Sequence, residues 1–112
     1  MRSSALRKRE EVSLEEFVGL FFRGKYQKIA LDSLIVLKRN SMTTKELAEV
    51  LDVPRSSLSD VLVKMEKLGM VYREWRYSPW RLSTQIGRKM QKYFQLWKNF
   101  YSAKGRDTPE TR

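Results

Sequence analysis

The sequence predicts a mainly α fold with one small β-hairpin (α+β), its elements in the order α-α-α-α-β-β-α. Three observations predict it. Five stretches carry apolar residues at helical spacing, two of them opened by a Ser/Thr-x-x-Glu capping box. One stretch, "MVYREWRYSPWRLS", switches to a period of two around a Tyr77-Ser78-Pro79 turn. The length of 112 residues allows one modest core and hence one domain.

Residues 1–12 are charged and short of apolar anchors, which reads as a flexible basic arm. Ser13 and Glu16 form the first capping box, ahead of a stripe of Leu14, Phe17, Val18 and Phe21 that Gly24 interrupts. A second helix spans about 25–39, with Ile29, Ala30, Leu34 and Leu37 on one side. Its run Leu34-Ile35-Val36-Leu37 is apolar all round, so it is expected at the centre and largely buried.

Thr43 and Glu46 make the second capping box, with Met42 and Leu47 placed as a hydrophobic staple. The short helix that follows turns Leu47, Ala48 and Leu51 inward. Asp52-Val53-Pro54 ends it, because a residue before proline avoids helical space. Pro54 then starts a helix over 54–68, anchored by Leu58, Val61, Leu62, Met65 and Leu68 and stopped by Gly69.

In the hairpin, a loop at 76–79 would set Trp75 opposite Trp80 and Arg73 opposite Leu82, with both tryptophans on one face. Arg76 and Arg81 then fall at or near the tip. Ser83 caps a final helix to about Ser102, whose stripe is Ile86, Met90, Tyr93, Phe94, Trp97, Phe100 and Tyr101. Residues 103–112 read as a disordered polar tail.

Lys and Arg number 23 against 13 acids, a net charge of +10. Such an excess favours a polyanionic partner. Cysteine and histidine are both absent, which removes disulfides, thiolate and imidazole catalysis and the usual zinc sites. The start "MRSSALRKREEV" lacks the apolar run of a signal peptide, and no stretch has the length of a membrane span. The expectation is a cytoplasmic, DNA-associated chain with no membrane association. No catalytic group pairs with another, so neither enzyme activity nor a cofactor or metal is expected. Whether a small-molecule effector exists is unknown from the sequence.

A short helix, a tight turn, a second helix and a β-hairpin make the winged helix-turn-helix arrangement. "TTKELAEVLDVPRSSLSDVLVKMEKLGMVYRE" resembles the helix-turn-helix of the MarR/ArsR-type winged-helix regulators, small archaeal or archaeal-virus ones in particular. "WRLSTQIGRKM" resembles the segment where their second wing strand enters the next helix. The resemblance covers about residues 43–92. Pro54 departs from the small polar residue usual at the recognition-helix start, and the wing is short. The domain then divides into a helix-turn-helix at 43–69, a wing at 70–83, and flanking or dimerisation helices at 13–39 and 83–102.

The resemblance implies that the helix 54–68 enters the major groove of double-stranded DNA, with its N-terminal residues at base edges. Its outward set is Arg55, Ser56, Ser57, Ser59 and Asp60, with Val63 and Lys64 one turn further on. Arginine can pair bidentately with guanine, and serine hydroxyls with bases or phosphates. Asp60 is awkward beside phosphate; it can accept from cytosine, orient Arg55 or Lys64, or face solvent. Lys45, Arg73, Arg76, Tyr77 and Arg81 form the wing and backbone set, reaching the minor groove or flanking phosphates. Taken singly each has a plainer alternative: Ser56 and Ser57 as caps, Lys64 as a solvated face, Arg76 and Arg81 as a solvated turn.

The last helix carries more aromatic bulk than a domain this small can bury. With Phe17, Phe21 and Phe22, the residues Tyr93, Phe94, Trp97, Phe100 and Tyr101 are read as a dimerisation surface. The alternative is that the first and last helices pack on each other within one chain. The expected function is a homodimeric, sequence-specific transcription regulator on a palindromic site. Its rivals are a DNA-architectural or replication and partition protein with low sequence preference, and a winged helix used only to bind protein.

Overall fold

The computed structural model describes residues 12–107. Its elements are α1 (Leu14–Gly19), α2 (Lys25–Arg39), α3 (Thr44–Leu51), α4 (Arg55–Leu68), β1 (Val71–Tyr72), β2 (Arg81–Leu82) and α5 (Gln85–Asp107). The order is the expected one, and the architecture is a winged helix-turn-helix. The basic arm falls outside the described residues but for Val12, as does the end of the tail.

Both capping boxes form. Ser13 Oγ accepts from Glu16 N at 3.0 Å while Glu16 returns its carboxylate to Ser13 N. Thr43 and Glu46 do the same at α3. Each box satisfies two amides that a helix start would otherwise leave unpaired. α1 is shorter than its apolar stripe: it ends at Gly19, and the turn that follows folds Phe22 back with its amide on Val18 O. Gly24 sits at φ +58, a conformation few other residues adopt, and starts α2.

α2 is the central element, packed against α1, α3, α4 and β2. Ile29, Ala30, Leu34 and Leu37 are buried as expected, together with Ser33, whose hydroxyl donates to Ile29 O at 2.7 Å. The expectation that its apolar run is buried all round fails at Ile35, which is 48% exposed. That side of α2 faces α1, β2 and the first turn of α5 across an open groove.

The turn between α3 and α4 places Asp52 in the left-handed region at φ 56. Aspartate is among the few residues that visit it routinely. Pro54 stands one residue earlier than expected, as the N-cap of α4 rather than its first residue. Leu58, Val61, Leu62 and Met65 bury α4 against the core. Gly69 ends it at φ 88.

The hairpin differs most from its expected form. Its strands are two residues each, with Val71 opposite Leu82 and Tyr72 opposite Arg81. Trp80 faces Met42 instead, in an antiparallel bridge with Trp80 N on Met42 O at 2.7 Å. The two tryptophans therefore part: Trp80 is 1% exposed and Trp75 62%. The indole explains why. Its Nε1 donates to Thr44 Oγ1 at 2.9 Å, so the ring is buried with its polar atom paired.

α5 continues past Ser102 to Asp107. Its start is tied down, since Ser83 Oγ accepts from Gln85 N and Gly69 O accepts from Ile86 N. It packs against α4, not α1, so the intrachain pairing of first and last helices does not occur among the described residues.

Candidate nucleic-acid interface

The Met42–Trp80 bridge carries the loop 73–80 to the N-termini of α3 and α4. Between them lies an open cleft of about 600 Å³, lined by Thr43, Thr44, Lys45, Arg55, Ser56, Ser59, Arg73, Arg76 and Tyr77. Four of these nine are cations, four carry aliphatic hydroxyls, and none is a carboxylate. The potential inside is therefore strongly positive.

Helix geometry sorts the outward residues of α4. At about 100° per residue, Ser59, Val63 and Ser56 fall within about 100° of Arg55. Asp60, Lys64 and Ser57 fall roughly 140–200° away. The structure agrees: Arg55, Ser56 and Ser59 line the cleft, and the other three do not. Asp60 and Lys64 border a separate depression with Phe21, Phe22, Arg23 and Tyr26. There Lys64 Nζ donates to Phe21 O and stands 4.9 Å from the centre of the Phe22 ring. Asp60 thus lies apart from the cleft-lining cations.

No side chain caps α4. Proline has only an extended backbone to offer there, so the first-turn amides of α4 are open to an external acceptor. With the helix dipole they suit a phosphate oxygen. The small side chains of Ser56 and Ser59 leave that approach clear.

The wing loop is held by Ser78, which is buried. Its hydroxyl accepts from Glu74 N and Trp75 N, both at 3.0 Å, and bonds Trp75 O. Arg73 lies over the Trp80 ring at 4.2 Å, which fixes its guanidinium at the cleft wall. Arg76 rests 5.5 Å from the exposed Tyr77 ring, and Trp75 meets Tyr77 edge-on. Arg81 is in β2 opposite Tyr72, exposed but away from both the tip and the cleft. The expectation that Arg81 falls at or near the tip with Arg76 rested on a different register.

Thr43 and Thr44 are cleft residues that the sequence reading did not name as such. Thr43 was visible only as a cap. Thr44 is the first residue of α3 and adjoins Lys45, so its neighbour was the available signal.

The dimerisation candidates divide as well. Phe22 is buried, while Phe17 and Phe21 pack half-buried against the core and meet edge-on at 5.6 Å. Tyr93, Phe94, Trp97, Phe100 and Tyr101 are all exposed, and Trp97 packs obliquely on Phe100 and Tyr101.

Among the described residues no cluster of side chains could hold a metal ion, and no helix is long and apolar enough to cross a membrane. A family profile described as sugar-specific transcriptional regulator TrmB matches residues 33–93. That span holds the second half of α2, the helix-turn-helix, the wing and the first turns of α5. Neither a search of curated proteins nor one of solved structures gave a match. The motif resemblance agrees at the level of a winged-helix DNA-binding regulator. With its matched span covering more than half of the sequence, the chain belongs to the TrmB family of winged-helix transcriptional regulators.

Proposed function

We propose that this chain is a sequence-specific regulator that binds double-stranded operator DNA as a homodimer on a palindromic site. The observation that supports this most is the acid-free cleft joining the start of α4 to the wing loop. α4 enters the major groove with Arg55 at a base edge and Ser56 and Ser59 beside it. The open amides of its first turn take a phosphate. Lys45, Arg73 and Arg76 neutralise the flanking backbone, and Tyr77 at the exposed end of the wing lies toward the minor groove. The family description makes a sugar the effector class to screen first.

The test is selection of bound duplexes from a random pool, followed by titration of the selected and scrambled duplexes at fixed salt. Arg55→Ala is expected to cost about 1–3 kcal/mol on the selected duplex and to relax preference at one position. Arg76→Ala is expected to weaken both duplexes alike and lower the salt slope by about 1. Equal affinity of the wild type for both duplexes would sink the regulator reading in favour of an architectural role. Affinity untouched by either substitution would point to a protein-binding wing.

A further inference from the structure

From Gln91 to Ser102 every residue of α5 is exposed. Six of them are large and apolar: Tyr93, Phe94, Leu96, Trp97, Phe100 and Tyr101, each 55–65% exposed. They share one side of the helix, and between Gln85 and Ala103 the helix has no acid. At the foot of α5 the stripe runs through Ile86 into the groove left open beside Ile35. That groove is about 640 Å³, mostly apolar, and is walled by Leu14, Phe17, Leu34, Ile35, Leu82 and Ile86 among others.

The spacing of the stripe identifies its occupant. Ile86, Met90, Tyr93, Trp97 and Phe100 follow one another at intervals of 4, 3, 4 and 3 residues, the seam of one helix against another like it. Area agrees with this. An aromatic side chain buries about 150–250 Å². At the observed exposures, covering the five aromatic ones removes roughly 430–720 Å² per chain, and Leu96 adds to it, which approaches the 800 Å² per partner of a standard interface. The groove adds to that.

Side-chain size then sets the direction. A parallel pair would stack Trp97 on Trp97 and Phe100 on Phe100 at one end and leave Ile86 against Ile86 at the other. An antiparallel pair sets Ile86 against Phe100 and Met90 against Trp97, so that the layers on either side of the central Tyr93 pair hold one large and one smaller side chain each. It also opposes the two helix dipoles. The geometry points to a second copy of this chain as the partner, with the two α5 helices antiparallel, Tyr93 beside the two-fold axis, and the Trp97–Tyr101 end of each helix seated in the other's groove. This deepens the homodimer part of the proposed function and rests on it. The DNA cleft lies on other elements and is tested separately.

The absence of cysteine makes the test direct. In the full chain, Tyr93→Cys alone is expected to give a covalent dimer on mild oxidation, because the two β-carbons must come within disulfide range. Ile86→Cys and Phe100→Cys are each expected to stay uncrosslinked alone and to crosslink when mixed. Crosslinking of every variant with its own kind would show a parallel pair and overturn the arrangement while leaving a dimer. A wild-type chain that sediments as a monomer at micromolar concentration, or that covers this face on anionic vesicles instead, would overturn the dimer as well. Trp97→Glu provides a second readout. It is expected to raise the dimer dissociation constant roughly 100-fold, with helicity and melting temperature of the monomer unchanged because the site is open within one chain. A Trp97→Glu chain as dimeric as the wild type would also overturn the seam.

Discussion

Trp80→Ala is expected to cost about 3–5 kcal/mol of folding stability, the range for emptying a tryptophan site in a core. That is a large share of the roughly 5–15 kcal/mol that holds most domains together. The ring is 1% exposed, and its backbone bridges Met42 in both directions. The ring belongs to the buried core, and Thr44 and Arg73 also reach it, with polar groups that are poor filling for an apolar space. Urea unfolding followed by circular dichroism measures the cost. Trp80→Phe keeps most of the ring's bulk while removing the Nε1–Thr44 bond and the outer part of the indole, so a smaller loss of about 1–3 kcal/mol is expected. A second consequence concerns DNA. Trp80 does not line the cleft, yet operator affinity of Trp80→Ala should fall even under conditions where the variant is folded, since Arg73 loses the ring that positions it. Unchanged affinity in folded Trp80→Ala would mean that the wing cations act without that support.

Gly69→Ala is expected to cost on the order of 3 kcal/mol, from two sources. The backbone at φ 88 is left-handed, which costs a residue with a β-carbon about 1–2 kcal/mol. A β-carbon there would also lie 2.7 Å from Ile86 N and 2.9 Å from Gln85 C, both backbone atoms. Crowding of a packed site adds about 1–3 kcal/mol. Gly69→Asn distinguishes the sources. Asparagine tolerates the left-handed region but carries the same β-carbon, so it should recover little. Recovery of most of the loss by Gly69→Asn, measured as the shift in urea midpoint, would assign the effect to φ and not to the close approach of α5.

Much of this fold was legible because its signals are local. A capping box needs four residues, and both formed where Ser13 and Thr43 stood. The Gly69 stop and the buried set of α4 follow from one periodicity. The hairpin was not legible, because its register depends on Met42, nearly 40 residues from Trp80 in the chain. Alternation within 71–82 cannot reveal a competitor outside it, and a buried indole with a hydroxyl partner outweighed pairing the two tryptophans.

The site was half legible for a related reason. Periodicity separates the inward arc of α4 from the outward one, and Arg55, Ser56 and Ser59 were rightly outward. An outward arc spans more than half the helix, however, and only the wing marks which part of it belongs to the cleft. Asp60 and Lys64 are outward too, but toward the turn between α1 and α2. Likewise the stripe of α5 announced an apolar face. The bare side of α2 at Ile35 was hidden, since its apolar run reads as a buried centre.

The bond from Ile86 N to Gly69 O has a consequence for how distance along DNA is measured. It joins the end of α4 to the start of α5 without slack, and Lys89 Nζ on Lys67 O braces the same joint one turn later. The molecule has no wrist. In the proposed dimer, the two recognition helices therefore keep a set separation and phase. The length of the spacer between half-sites becomes part of the code, and inserting half a helical turn, about 5 base pairs, should abolish dimeric binding while leaving each half-site intact.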